Sequence, residues 1–132
     1  MDSLGAPDLA SSERLGAATY AVLWAMADAL SSSGPGLVLE SNFHRDLAGP
    51  RLRALAARGA ATFVHCIAPV DVIRARHAAR VRHPGHKDAE RLASWDGDLA
   101  AFGPPDGIRV IRVDTTGAVD VVATAARIRR PA

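Results

Sequence analysis

The run ATFVHCIAP at residues 61–69 is the pivot of the chain. Ala61 to Ala68 is short, apolar and rich in β-branched and aromatic residues, which reads as a buried strand. Pro69 closes that strand and can open a helix, because its ring presets φ and the missing N–H costs nothing in the first turn. The helix is expected from Val70 to about Arg82. Working outward, Leu37 to Ser41 (LVLES) is a second apolar run that turns polar at its C-terminal end, as a buried parallel strand delivering side chains to a site would. Ile108 to Asp114 (IRVIRVD) is a third, with Arg109 and Arg112 interleaved as at a more exposed position.

Helical patterns fill the intervals. Ser12 can cap a helix carrying Leu15, Val22, Leu23, Met26 and Leu30, ended by SSSGPG at 31–36. Pro50 suits the first turn of a second helix, with Leu52, Leu55 and Ala56 as its stripe and Gly59 as its C-terminal stop. A further helix is expected from about Asp88 to Phe102, with Leu92, Trp95, Leu99 and Phe102 on one face, broken by GPPDG at 103–107. Thr115 to Gly117 then turns into a last helix holding Val119, Val122 and Ala126. Trp24 and Trp95 are expected in the core. Strands alternating with helices in this way define an α/β fold, a three-layer arrangement with a parallel sheet and helices on both faces. In such sheets ligands bind beyond the carboxyl ends of the strands, here ESN (40–42), APVD (68–71) and VDTTG (113–117).

The 132 residues make one domain, and 48% hydrophobic with 23% charged residues excludes the disordered class. No stretch is long and apolar enough to span a membrane, and the start MDSLGAPD lacks a positive leader, so a cytoplasmic protein is expected. Cys66 is the only cysteine, which excludes an intrachain disulfide. It is expected as a buried, inert thiol, with His65 on the opposite strand face and so no Cys/His dyad. The net charge of +2 does not call for nucleic acid. The positive charge is concentrated: Arg74, Arg76, Arg80, Arg82, Lys87 and Arg91 stand against Asp88 and Glu90.

Taken together, GLVLESNF (36–43), ATFVHCIAPVDVIRARHAARVRHPGHKD (61–88) and IRVIRVDTTGAVDVV (108–122) resemble, in order and spacing, the small P-loop kinases of an AAA-type, ATP-binding group. That group includes zeta-toxin-like proteins, chloramphenicol phosphotransferase-like proteins and polynucleotide 5'-kinase. The resemblance implies a phosphotransferase that moves the γ-phosphate of ATP, with Mg2+, to a hydroxyl of a small molecule or nucleotide. It implies Arg76 and Arg80 as phosphate clamps, four residues apart on one helical face. Glu40 is similar to the group's catalytic acid near magnesium or the acceptor hydroxyl. Asn42 and Arg45 are implied as substrate-binding, and Asp114 and Thr115 as the nucleotide side of the pocket. HPGHKD (83–88) falls where the group has a lid, within an arginine-helix and lid region at about 70–102.

Each assignment has a plainer alternative. The arginines can form a solvated basic face, Glu40 can pair with Arg45, and Asp114 can simply cap a helix. His77, His83, His86 and Asp88 fit no standard metal spacing, so no metal site is expected among them. The chain also lacks the motif that defines a P-loop: Lys87, its one lysine, is flanked by His86 and Asp88, so there is no GK[ST] loop. In the resembling group the P-loop strand lies at the sheet centre, between the strands matching LVLES and ATFVHCI. The sequence therefore reads as a single incomplete domain over 1–132, the C-terminal portion of a kinase lacking its Walker A segment and first, central strand. It is expected to be inactive alone, the strand being supplied by a missed upstream segment or by a second chain; failing both, the two flanking strands are expected to close up in a rearranged or marginal fold. The alternative is a non-catalytic α/β remnant or binding module that recognises an anionic partner through its basic helix.

Overall fold

A computed structural model of the chain describes residues 8–34, 36–81 and 88–130. The pivotal run is a strand, β1 (Thr62–Ile67), and it pairs in parallel with β2 (Arg109–Asp114). Helices α1 (Leu9–Ser32) and α2 (Arg45–Ala56) precede β1. The crossover to β2 carries α3 (Val70–Ala79), α4 (Asp88–Ser94) and a 3-10 turn at Ala100–Phe102, and α5 (Val121–Arg129) follows β2. The chain is thus mixed helix and strand with parallel pairing, as the α/β class requires.

The expected third strand is absent among the described residues. Leu37 to Ser41 pairs with nothing there, and the sheet has two strands, β1 and β2. An apolar run becomes a strand only when a partner takes its backbone groups. Here Val38 is 92% exposed, while Leu39 packs on the core from one side. That core is small: Trp24, Phe43 and Ala48, with Tyr20, Leu23, Leu39, Leu52, Leu55 and Phe63 packed around them. The rings of Tyr20, Trp24 and Phe43 lie 5.7–6.5 Å apart in tilted and edge-on pairs. Asp28 ties α1 to α2 by an ion pair to Arg51 at 3.8 Å, and to the turn that follows α2 by one to Arg58 at 2.9 Å.

Helix ends differ from the sequence reading for local reasons. Asp8, not Ser12, caps α1, its carboxylate accepting from Ser11 N at 2.7 Å. Helix α2 starts at Arg45, so Pro50 lies inside it rather than in its first turn. The long helix expected through Phe102 stops at Ser94, and Gly97 takes φ +93°, a left-handed conformation that ends any helix passing through it. Trp95 is consequently half-buried under the Arg74 guanidinium, 4.9 Å from its ring centre, rather than in the core. Helix α5 starts at Val121, capped by Asp120, whose carboxylate accepts from Ala123 N at 2.8 Å.

Candidate functional site

The register places His65 beside Arg112 and Phe63 beside Val110, so these four side chains leave one face of the sheet. Arg109, Ile111 and Val113 leave the other. Phe63 meets the α1–α2 core on the first face. On the second, Arg109 donates to the carbonyls of Arg127, Ile128 and Arg130 at the end of α5, at 2.7–3.3 Å. Cys66 shares this second face and is exposed, contrary to the buried thiol expected from its apolar neighbours; Val64 beside it is 37% exposed.

The carboxyl ends of the strands are tied together. Thr115 donates from its backbone N–H and its hydroxyl to the Ile67 carbonyl, at 2.8 and 3.0 Å. Arg76 reaches this tip from α3, with Nη2 donating to the carbonyls of Thr115 at 2.5 Å and Thr116 at 3.1 Å. Asp114 accepts from Thr116 N at 2.8 Å. The Thr116 hydroxyl and N–H, with a smaller contribution from Arg76, hold its carboxyl below the ordinary value. The structure therefore brings three of the sequence-derived candidates together: Arg76, Asp114 and Thr115. A guanidinium stands at the strand tip with its fork committed to backbone oxygens.

Arg80 takes no part in that cluster. Helix α3 ends at Ala79, and Arg80 turns to extended backbone (φ −75°, ψ 126°), which breaks the helical spacing that would have aligned it with Arg76. It lines an open groove of about 460 Å³ between α3 and α4, with His77, Ala78, Ala89, Leu92 and Ala93. Arg74 points elsewhere again, donating to the Trp95 carbonyl at 3.0 Å. His83, His86 and Lys87, expected in a lid loop, lie outside the described residues.

Glu40 was expected as a buried acid at a strand end. It is exposed and has no ion pair among the described residues, because the segment carrying it is not a strand. Asn42 is brought instead to Tyr20, whose hydroxyl lies 2.6 Å from Ser41 Oγ and 3.3 Å from both the carbonyl and Oδ1 of Asn42. Sequence reasoning passed over Tyr20, although it stands one turn before Trp24 on the same stripe with a polar tip that must find a partner. Arg45 belongs to a third group: its guanidinium lies against Gly103, and it acts electrostatically on His65. No hydrogen bond or ion pair among the described residues joins these three groups.

Comparison with known proteins gives no match: no family model, curated protein or solved structure matches the chain. No helix among the described residues is long and apolar enough to cross a membrane.

Proposed function

We propose that this chain is the C-terminal portion of an ATP-dependent phosphotransferase, inactive until a phosphate-gripping strand and loop join it. The observation that carries the reading is the free edge of β1. Parallel strands occur almost only inside covered sheets of several members, yet β1 has a partner on one side only among the described residues. Leu39 and Phe63 pack on the same small core, so the unpaired run at 37–41 and β1 border it from two sides. A P-loop strand taking that edge would restore the sheet to which the sequence bears its resemblance. It would also set its loop beside the tip where Arg76 stands, as ligands of α/β sheets require. In this reading Arg76 faces the triphosphate, Asp114 and Thr115 shape the nucleotide side, and Glu40, Asn42 and Arg45 belong to the acceptor side. Mg2+ would be held mainly by the incoming loop.

The DNA immediately upstream of Met1, translated in the same frame, tests this directly: a glycine-rich GK[ST] loop following an apolar run is expected. Absence of such a segment upstream, together with micromolar ATP affinity of the 132-residue chain in isothermal titration, would refute the proposal. The chain alone should bind ATP no tighter than millimolar, since the backbone cradle and lysine are missing.

A further inference from the structure

We infer that Arg45, His65 and Arg112 form a binding site for a phosphate-type oxyanion, on the sheet face that looks toward α2. The inference does not depend on the proposed phosphotransferase. His65 and Arg112 are register partners on adjacent parallel strands, so their side chains stand side by side. Arg45, in the first turn of α2, acts on the imidazole electrostatically, less strongly than Arg112. Two basic side chains thus stand side by side on the sheet, and a third, seated on Gly103, adds its charge to theirs. Like charges so placed repel one another, and proteins normally offset this with a carboxylate. Here neither Arg45 nor Arg112 has an ion pair or donates a hydrogen bond among the described residues.

On α2, Asp46 follows Arg45 but pairs with neither arginine; on β2, Asp114 shares the face but is engaged by Thr116 and lies beside Arg76. His44, the N-terminal cap residue of α2, makes no side-chain cap bond, and its ring stacks edge-on against Phe102 at 5.7 Å. The Nδ1 atoms of both His44 and His65 are buried without a hydrogen-bond partner. Phe63 supports the His65 ring edge-on at 6.1 Å. The positive end of the α2 dipole adds to the same field.

The donor set favours phosphate over carboxylate. Two guanidinium forks and an imidazole supply more N–H groups, in more than one plane, than two coplanar carboxylate oxygens accept, whereas a tetrahedral oxyanion presents three or four. Gly103 fixes one side of the site. A Cβ at that position would collide with Arg45 Nη2 and stand 3.1 Å from Cζ, so the guanidinium rests on the bare backbone. Gly103 has φ −71°, which alanine adopts without strain.

The test is a titration with inorganic phosphate at constant ionic strength, read from the His65 Cε1–H resonance and assigned with His65→Gln. Saturable binding with a rise in the His65 pKa is expected, because a bound anion favours the imidazolium. Arg112→Gln, at an exposed position, should weaken phosphate about tenfold. Gly103→Ala should weaken it several-fold by moving Arg45 without removing a charge, and Arg129→Gln, with the same loss of charge elsewhere, should change it less than about twofold. Three results overturn the inference: no response of His65 to phosphate, an equal response to acetate, or equal losses in Arg112→Gln and Arg129→Gln. ATP affinity and transfer are separate readouts, so loss of the phosphotransferase reading leaves this site standing and the reverse also holds.

Discussion

Protonating His65 in the folded chain works against its surroundings. Burial of the ring, then the charges of Arg112 and Arg45, hold its pKa below the ordinary 6.5. Between that lowered value and 6.5 the unfolded chain binds more protons than the folded one, so stability rises with pH across the interval. The contribution is complete above about 6.5 and is lost as pH falls toward the folded-state value. Urea midpoints measured from pH 8 to 5 should decline below pH 6.5, and His65→Gln should flatten that decline; an unchanged slope in the variant would assign it to the other histidines. Arg76 acts at the same scale through shape. Its Nη2 donates to two carbonyls while Nη1 reaches the Thr115 hydroxyl at 3.5 Å, a two-nitrogen spread that a lysine ammonium cannot reproduce. Because the side chain is exposed, Arg76→Ala should cost only about 1 kcal/mol, and Arg76→Lys should recover less than half of it in urea denaturation. Full recovery by lysine would mean that charge alone matters at the strand tip.

Helix α2 carries its own defect. Pro50 lies inside it, so the bond that residue 50 would donate to the Asp46 carbonyl is missing. The exposed ring contributes no core packing, and Pro50→Ala should therefore stabilise the chain by about 1–2 kcal/mol, the helix gain being reduced by the greater entropy of the unfolded alanine chain. A lowered urea midpoint would show that the proline shapes the turn of chain that presents Arg45. This is also where the sequence reading differs from the structure: proline is at home in a first turn, but Arg45 is a good helix former and Asp46 suits the positive N-terminal end, so the helix begins earlier. The elements that were legible, β1, β2, α3 and the core role of Trp24, each owe their form to a continuous local pattern. The strand expected at 37–41 was not legible, because a strand depends on a partner distant in sequence. Arg76 meeting Asp114 and Thr115 could be expected from strand-tip logic, whereas the pairing of His65 with Arg112 rests on register, which no single segment encodes.

Taken whole, the molecule buries too little. Its accessible surface is 9304 Å², about 2,700 Å² more than the roughly 6,600 Å² of a compact monomer of this mass. The excess is partly apolar: Val22, Met26 and Leu47 are 57–79% exposed, and Val64, Ile67 and Val110 of the two strands are each 37–38% exposed. Among the described residues six hydrophobic ones are buried, so the stability of this part rests on few contacts and an added strand would have much apolar surface to cover. The urea m-value measures this, since it scales with the surface exposed on unfolding. An unfolded chain of this mass exposes roughly 20,000 Å², so unfolding here uncovers about 10,700 Å² against about 13,400 Å² for a compact domain. The m-value of the monomer, checked by sedimentation, should thus fall about one fifth below that of compact domains of equal length. Joining the chain to the strand proposed for the free edge of β1 should bring it back to the value expected for the combined length. A full m-value for the 132-residue monomer alone would mean that the sheet closes in solution without help, and that the edge of β1 is no docking place.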